Sequence, residues 1–376
     1  MKTSSVQDIL PLGLIIFFLF FVSGWIYGEQ IKIKTENSVT VVYNPKNPAV
    51  LHGVPTGLSI KEDLSLGVQI ESEESMLLNP TDVDADEKGN IYVLDRKAAQ
   101  IKIFGRKGEF IKAVGKKGQG PGEFQSPSNF QVTPQQKIIV CDPGLRRVII
   151  FSLEGQFIRE LSAGKMWMFT QAKKDFRGDI IGSHTIMDQE ARTELVRFNS
   201  NLEPLFTVAS VPIARYPVFN PYFPLLYFDL TPEGNVLWGI TTEYVFHIVN
   251  PEGKTIRKIV KEFDPEKLTQ EDREKRAREI WGDQGPSSDV RVEWPKYFPA
   301  FQDFIMDDRG WLFVRSYTKE KAAKGVSYDV FDAKGRYLAR VSLPERAITI
   351  KDGKLYTIEE DEDGFRFVKR YSLEWK

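Results

Sequence analysis

The sequence contains little cysteine and little histidine. Cys141 is the only cysteine among 376 residues, so no intrachain disulfide can form. It lies in the apolar run KIIVCDP, where a free cysteine is expected to pack as a small hydrophobic residue. The three histidines, His52, His184 and His247, are too scattered to indicate a zinc site, which needs several His or Cys ligands. The cysteine and the histidines therefore indicate neither a catalytic site nor a zinc site.

An excess of positive charge is also missing. Lys and Arg number 51 and Asp and Glu number 52, which gives a formal net charge of -1 at pH 7. Proteins that bind nucleic acid normally carry a basic footprint. No nucleic-acid partner is therefore predicted. The 41% of hydrophobic residues are sufficient for a packed core.

One long apolar run lies at the N-terminus. The stretch ILPLGLIIFFLFFV follows Lys2 and precedes SGWIYGEQ, an order that predicts a secretory signal peptide over residues 1–28. Extended to Gly28, the stretch is about 20 residues, which is also long enough for an uncleaved membrane anchor. In both cases the rest of the chain is expected to be exported to the periplasm or the cell exterior. Contact with a membrane is expected only through this segment, if it is not cleaved.

Two segments of the chain repeat one pattern. Residues 86–115 align without a gap on residues 133–162 at a constant offset of 47, which places Asp95 on Asp142. Each segment contains short runs rich in β-branched and aromatic residues, separated by turns with Gly and Asp. The pattern predicts short antiparallel strands joined by tight turns.

Further copies of the pattern follow with more variation. In one of them Asn201 takes the place of the second turn glycine, and in the second repeat Gln136 stands where the first turn glycine is expected. The last copy, residues 351–376, stops before its fourth strand. A blade left with an open edge would expose unpaired backbone groups. The further copies cover residues 175–210, 231–260, 307–343 and 351–376.

The missing strand is expected to come from the N-terminal part of the chain. The segments SVTVVYN and LSIKEDLSLG have strand character and belong to no complete repeat. We expect one of them to complete the last blade and close the ring. Five complete units and one split unit predict an all-β fold over residues 29–376: a six-bladed β-propeller of four-stranded antiparallel blades, the last blade closed by an N-terminal strand.

The repeats resemble NHL-type repeats of six-bladed propellers. The segment GKKGQGPGEFQSPSNFQV resembles the inter-blade segment of that family, and the likeness extends from about residue 80 to the C-terminus. The resemblance implies the fold and leaves the activity open. Asp95 and Asp142 match turn aspartates of the family, whose expected role is to accept hydrogen bonds from backbone N–H groups in the turn.

The segment VGKKGQGPGEFQSP, residues 114–127, has the glycines and lysines of a phosphate-binding loop. A P-loop, however, requires Gly-Lys-Ser/Thr followed by a helix whose N-terminus faces the phosphate. This segment has no such triplet, and its prolines argue against a following helix. It is predicted to be a link between two blades and not a nucleotide site.

Two links between the predicted blades are unusually long and aromatic. The first is VPIARYPVFNPYFPLLYF, residues 211–228, and the second covers residues 262–304. The second link is predicted to contain a helical insertion near residues 264–300, with Thr269 and Asp272 in a capping-box arrangement. Its charged faces predict a surface helix that acts as a lid. Long loops over a rigid scaffold often carry binding sites.

These links predict an aromatic-lined pocket over the central channel. Aromatic rings suit sugars and apolar or peptide ligands, and two strand-end residues are expected on the same face. The alternative is that the rings pack on one another and seal the channel. The residues predicted to contact a ligand are Tyr216, Phe219, Tyr222, Phe223, Trp281, Trp294, Tyr297, Phe298, Arg96 and His184.

Three functions remain open at this point. The sequence favours an exported module that binds a small molecule, a glycan or a protein through this face, without a cofactor. The first alternative is a calcium-dependent hydrolase or lyase of the six-bladed propeller type. Calcium needs clustered oxygen ligands, for which Asp229, Asp303 and Asn129 near the starts of inner strands are the candidates. The second alternative is an envelope scaffold that binds partners through the propeller rim.

Overall fold

The computed structural model describes residues 30–67, 72–162, 169–186, 191–213, 217–317, 325–344 and 346–376. The predicted signal peptide or anchor at residues 1–28 lies outside the described residues, as does Tyr216. Within these ranges no helix is long and apolar enough to cross a membrane.

Three N-terminal strands precede the first blade. β1 (Lys32–Glu36) and β2 (Val39–Asn44) form an antiparallel hairpin. After residues 45–57 comes β3 (Leu58–Leu66). A single turn of 3-10 helix, Glu73–Ser75, leads to the first blade.

Blades 1, 2 and 3 are regular four-stranded antiparallel sheets. Blade 1 consists of β4 (Pro80–Ala85), β5 (Ile91–Asp95), β6 (Gln100–Phe104) and β7 (Phe110–Val114). Blade 2 consists of β8 (Asn129–Val132), β9 (Lys137–Asp142), β10 (Arg147–Ser152) and β11 (Phe157–Ser162). Blade 3 consists of β12 (Phe169–Lys174), β13 (Ile180–Ile186), β14 (Arg192–Phe198) and β15 (Pro204–Pro212).

The second half of the ring contains the lengthened links. Strand β16 (Val218–Phe219) precedes blade 4, which consists of β17 (Leu226–Leu230), β18 (Val236–Ile240), β19 (Val245–Val249) and β20 (Thr255–Lys261). The next link holds α1 (Gln270–Trp281), a 3-10 turn (Gly282–Gln284) and β21 (Arg291–Val292). Blade 5 consists of β22 (Asp303–Met306), β23 (Leu312–Arg315), β24 (Val326–Phe331) and β25 (Tyr337–Leu343). Blade 6 contains β26 (Ala347–Lys351), β27 (Lys354–Glu360) and β28 (Arg366–Trp375).

The N-terminal segment closes the ring as predicted. β3 pairs antiparallel with β28 and becomes the outer strand of blade 6, which removes the open edge. The other candidate segment has a use that the sequence did not predict. β2 pairs in parallel with β20, so blade 4 has six strands, with β1 at its outer edge.

The hydrophobic core is divided into six clusters, each between two neighbouring blades. Successive side chains of a strand point to opposite faces of the sheet, so the buried second strand of a blade contributes to the cluster on each side of it. In β9, Ile138 and Val140 face blade 1, whereas Ile139 and Cys141 face blade 3. A blade is therefore apolar on both faces, and its inner strands read as continuous hydrophobic runs. Cys141 is buried, and burial raises its pKa to about 12, in agreement with a packing role.

The segment that resembles a phosphate loop is a link between blades 1 and 2. Its centre folds back on itself, since Phe124 N donates to Lys116 O at 2.8 Å. The Phe124 ring is fully buried between the two blades. Gly115 has a φ of +81°, and a Cβ there would lie 2.3 Å from that ring, so only glycine fits. The glycines shape a turn and make room for the core.

The two turn aspartates hold the segments that enter blades 1 and 2. Asp142 accepts hydrogen bonds from the backbone N–H groups of Gln125 and Ser126, at 2.7 and 3.0 Å. Asp95 does the same for the segment that enters blade 1 and also accepts from Ala98 N in its own turn at 3.1 Å. The predicted role in the turn therefore extends to the incoming link.

One detail of the repeat alignment is wrong. The residue that replaces the second turn glycine of blade 3 is Leu202 and not Asn201. Leu202 has a φ of +64° and donates its N–H to Asn199 O at 3.1 Å, the bond that Gly155 makes to Ser152 O in blade 2. Gln136 stands at a glycine position as predicted, with a φ of +55°.

Candidate functional site

The inner strands begin at one face of the propeller, which we call the link face because the chain arrives there from the preceding blade. Both long links therefore lie on this face. Their middle portions contact each other directly through β16 and β21, which pair in parallel. Arg291 N donates to Pro217 O at 2.8 Å, and Glu293 N donates to Phe219 O at 2.9 Å. The two links form one structured unit over blades 4 and 5.

Helix α1 belongs to this unit. Thr269 and Asp272 form a capping box: Thr269 N donates to Asp272 Oδ2 at 2.8 Å, and Asp272 N donates to Thr269 Oγ1 at 3.3 Å. The helix ends at Trp281 and is followed by the C-cap residue Gly282, which has a φ of +64°. None of its residues is fully buried. The helix is therefore a surface element held by a few contacts.

Four aromatic residues converge under the helix, and we call them the aromatic cluster: Tyr222, Trp294, Phe298 and Tyr317. The Tyr222 ring centroid lies 6.4 Å from that of Trp294, 5.4 Å from that of Phe298 and 6.1 Å from that of Tyr317. Phe298 and Tyr317 are stacked at 4.9 Å. All four are partly exposed. The cluster joins both long links to the segment that follows β23 in blade 5.

A cation from the helix completes the cluster. The Arg276 guanidinium lies 5.5 Å from the Tyr222 ring centroid, a cation–π arrangement, and 3.1 Å from Glu279. Burial raises the pKa of Tyr222 to about 12, so its hydroxyl stays protonated and can donate a hydrogen bond at neutral pH. The cluster can thus offer ring faces, a hydroxyl group and a cation to a ligand.

The remaining aromatic residues lie beside the cluster. Phe219 and Trp281 contact each other with centroids 5.3 Å apart, which fixes the end of α1 on β16. Phe223 and Tyr297 are among the exposed large side chains, at 38% and 40%. Lys296 lies over the Tyr297 ring at 5.1 Å.

The two strand-end residues have other surroundings. Arg96 is exposed and lies 3.4 Å from the Ser126 hydroxyl, at the junction of blades 1 and 2. His184 is 1% exposed inside blade 3, with its Nε2 3.7 Å from Glu194. Burial lowers the pKa of His184 to about 4, so the imidazole is neutral at physiological pH. The structure does not bring either residue into contact with the aromatic cluster.

The central channel contains two polar cavities. The cavity nearer the link face, here the upper chamber, has a volume of about 270 Å³, and the lower chamber has about 310 Å³. They share a ring of residues that includes Asp84, Lys173 and Asp229. Lys173 pairs with Asp229, and Lys351, from the lining of the lower chamber, lies 3.5 Å from Asp84. Above this ring, the upper chamber is lined by Thr81, Asp82, Ser128, Asn129, Gln171 and Tyr227.

The three candidate calcium ligands are each engaged by the protein. Asp229 pairs with Lys173 and accepts from Leu230 N at 2.8 Å. Asp303 forms an ion pair with Arg315, and Asn129 Oδ1 accepts from Ala172 N at 3.2 Å. Across the part of the chain that the structure describes, no three His, Cys, Asp or Glu side chains come together as metal ligands.

The sequence did not single out Arg276, Asp82 or the channel as functional features. Arg276 lies in the charged helix, where nothing in the residue pattern distinguishes it from its neighbours. Asp82 could have been found, because the offset of 47 places it on Asn129 at the start of an inner strand. A charged residue in one repeat and a neutral residue at the same position of the next indicate that the charge has a role beyond the fold.

Comparisons with known proteins support the fold. The pattern of the DUF5128 family, a 6-bladed beta-propeller, matches residues 68–175. No curated protein sequence matches the chain. The NHL assignment is not confirmed by these matches, whereas the six-bladed propeller is.

Several solved structures share the architecture. A candidate exported protein from Bacteroides fragilis is 13% identical, covers 90% of this chain and 100% of its own, and has a TM-score of 0.56. A DUF4221 family member from Bacteroides vulgatus is also 13% identical, over 85% of this chain and 99% of its own, with a TM-score of 0.54. Virginiamycin B lyase from Staphylococcus aureus is 11% identical, over 85% and 90%, with a TM-score of 0.42. At 13% identity, the likeness to the two Bacteroides structures establishes the fold alone.

Proposed function

We propose that this protein is an exported ligand-binding β-propeller that takes its ligand on the link face, against the aromatic cluster. The observation that carries the proposal is the convergence of Tyr222, Trp294, Phe298 and Tyr317 from three separate segments at partly exposed positions. A cluster that only sealed the channel would not need to keep its rings accessible. Partly exposed rings on ordered loops are typical of ligand sites.

The surroundings of the cluster indicate the kind of ligand. Exposed rings at Phe223 and Tyr297 extend the aromatic surface beyond the cluster. Lys296 adds positive charge over the Tyr297 ring, and Arg276 adds positive charge over the Tyr222 ring. Such a surface suits a compact ligand with both an apolar or sugar-ring face and polar groups, and a larger protein ligand would also need the propeller rim.

Export is part of the proposal. It is supported by the N-terminal sequence, in which a short positive region and an apolar run precede small residues. The absence of disulfides is compatible with export because the blades bury a large core without them.

Binding of immobilised glycans and peptides to the purified protein tests the proposal. The protein is applied to a glycan array and a peptide array, and hits are measured by calorimetry with Tyr222→Ala, Trp294→Ala and the unchanged protein. We expect each substitution to weaken binding at least tenfold, since truncation of a Trp or Tyr at the centre of a binding site costs about 2 kcal/mol, on the order of a thirtyfold effect.

Phe176→Ala is the matched control. Phe176 is an aromatic residue 50% exposed in a turn on the opposite face of the propeller. Its removal tests for unspecific loss of aromatic surface and should leave binding unchanged. If a hit binds equally well to both cluster variants, or if neither array yields a ligand, the proposal is wrong.

A further inference from the structure

Two residues at one repeat position differ in charge although they make the same hydrogen bond. Asp82 Oδ2 accepts from Phe130 N in the next inner strand at 3.1 Å. Asn129, 47 residues later, accepts from Ala172 N in the strand after that at 3.2 Å. A neutral amide thus suffices to join neighbouring inner strands at this level. The negative charge of Asp82 is not required by the fold.

Asp84 and Gln131, two residues further along the same strands, also share one repeat position and make the same kind of hydrogen bond. Asp84 Oδ2 accepts from Val132 N and Gln131 Oε1 accepts from Lys174 N, both at 2.7 Å. There, however, the extra charge is compensated, because Lys351 Nζ lies 3.5 Å from Asp84. Asp229 on the same ring is compensated by Lys173.

Asp82 differs from these carboxylates. Among the described residues, no Lys or Arg forms an ion pair with it, and its contacts are the backbone N–H groups of Phe130 and Val83. Burial, together with the neighbouring charge of Asp84, raises the pKa of Asp82 to about 7, although the charge of Lys173 and the two backbone hydrogen bonds act in the opposite direction. Lys173 itself pairs with Asp229, so a partly buried Asp82 carboxylate remains costly to ionise, and a bound cation would offset that cost.

The upper chamber offers space for such a cation. Its volume of about 270 Å³ is at the small end of ligand pockets. Gln171 and Tyr227 line it together with Asp82 and contribute an amide and a phenol hydroxyl. Burial raises the pKa of Tyr227 to about 12, so the hydroxyl remains protonated. The lining also contains Asp84, Asp229 and Lys173. Because Lys173 pairs with Asp229 and Lys351 lies beside Asp84, Asp82 is the carboxylate whose charge is left for a ligand with one positive charge.

We propose that the upper chamber binds a small ligand that carries one protonated amine, with the ammonium group on the Asp82 carboxylate. The inference rests on the proposed function, because the chamber lies beneath the link face and its ligand would enter past the aromatic cluster. The rings would contact the body of the ligand, and Asp82 would select for the amine.

Paired probes that differ in one amine test this inference. Calorimetry measures glucosamine against glucose, and ethanolamine against ethylene glycol, on the purified protein. We expect each amine to bind at least tenfold more tightly than its neutral partner. Asp82→Asn should abolish that preference and still fold, since Asn129 makes the same inter-blade hydrogen bond. Glu87→Gln removes an exposed carboxylate near the lower chamber and should preserve the preference.

The outcomes separate this inference from the proposed function. Loss of amine preference in Asp82→Asn with unchanged binding in Tyr222→Ala supports the chamber and contradicts the aromatic site. If Tyr222→Ala loses ligand binding and Asp82→Asn keeps the preference for the amine, the aromatic site is supported and the chamber proposal is overturned. The chamber proposal is also overturned if no amine binds better than its neutral partner. The chamber proposal would also be overturned if calcium ions bound instead of the amines and if Asp82→Asn abolished that calcium binding.

Discussion

Asn44 and Tyr337 are joined by a buried hydrogen bond across 293 residues of chain. Tyr337 N donates to Asn44 Oδ1 at 2.7 Å, and Asn44 Nδ2 donates to Gly335 O at 2.9 Å. Asn44 ends β2, which lies between β1 and β20 in blade 4, and its side chain contacts blade 5. Beyond it Ala49 N donates to Tyr337 O at 3.0 Å, and β3 completes blade 6. Residues 30–66 therefore form an N-terminal strap over three consecutive blades.

Removing the Asn44 side chain should loosen this strap. Asn44→Ala leaves the buried N–H of Tyr337 without a partner, and we expect the free energy of unfolding to fall by about 1–3 kcal/mol. Chemical denaturation measures the loss. Asn250→Ala is the control, because the Asn250 side chain accepts a local hydrogen bond from Lys254 N at an exposed turn, and the substitution should cost less than about 1 kcal/mol. Equal stability of the two variants would show that Asn44 does not fasten the strap.

The two left-handed residues at glycine positions should respond in opposite ways to glycine. Gln136 is exposed, so Gln136→Gly relieves backbone strain without losing packing and should stabilise the protein by roughly 0.5–1 kcal/mol. Leu202 is 8% exposed and packs in the cluster between blades 2 and 3. Leu202→Gly should therefore destabilise by about 2–4 kcal/mol, since a buried leucine side chain is lost. Thermal unfolding of both variants distinguishes them, and a stabilising Leu202→Gly would contradict the packing role.

The fold was predictable because propellers repeat their local chemistry. The offset of 47 between blades 1 and 2 follows the turn residues and the buried strands together, and the truncated last unit required a strand from elsewhere. Leu202 was missed because a buried leucine rarely adopts a positive φ, whereas the adjacent Asn201 adopts it readily. The sequence pattern favoured the residue with the better propensity, and packing between blades decided otherwise.

The candidate site was less predictable. Tyr222, Trp294 and Phe298 could be selected because long links between blades share one face. Their contact with Arg276 depends on how α1 lies across that face, which the sequence does not specify. His184 was expected at a strand end like Arg96, but β13 continues to Ile186, so His184 lies inside the strand, where it is 1% exposed. The repeat pattern does not specify how far each second strand extends.

His247 should make stability depend on pH below neutrality. Its ring stacks on Trp238 with centroids 4.2 Å apart, and burial lowers its pKa to about 4 from an ordinary value near 6.5. Between these values the unfolded chain binds a proton that the folded protein does not. Stability from this group is therefore complete above pH 6.5 and is lost as the pH falls toward 4. His247→Phe keeps an aromatic ring without the titration.

Denaturation of both proteins between pH 7.5 and 4 measures this effect. We expect the unchanged protein to lose roughly 1–3 kcal/mol more than His247→Phe over that range, because one unit of pKa corresponds to about 1.4 kcal/mol. His184 has a similarly lowered pKa in both proteins and cancels in the difference. Parallel stability curves would show that His247 is not a buried neutral imidazole.

Chelation should leave the protein unchanged if it is a binding module. Asp229, Asp303 and Asn129 are held by Lys173, Arg315 and the backbone of Ala172, so a calcium ion would have to break these contacts to gain its oxygen ligands. We therefore expect the melting temperature to be the same with and without EDTA, and elemental analysis of the purified protein to find no bound calcium. A ligand that binds only the folded state raises the melting temperature, and its removal lowers it. One calcium ion per chain, with a clear loss of stability on chelation, would contradict the binding module and favour a calcium-dependent hydrolase or lyase.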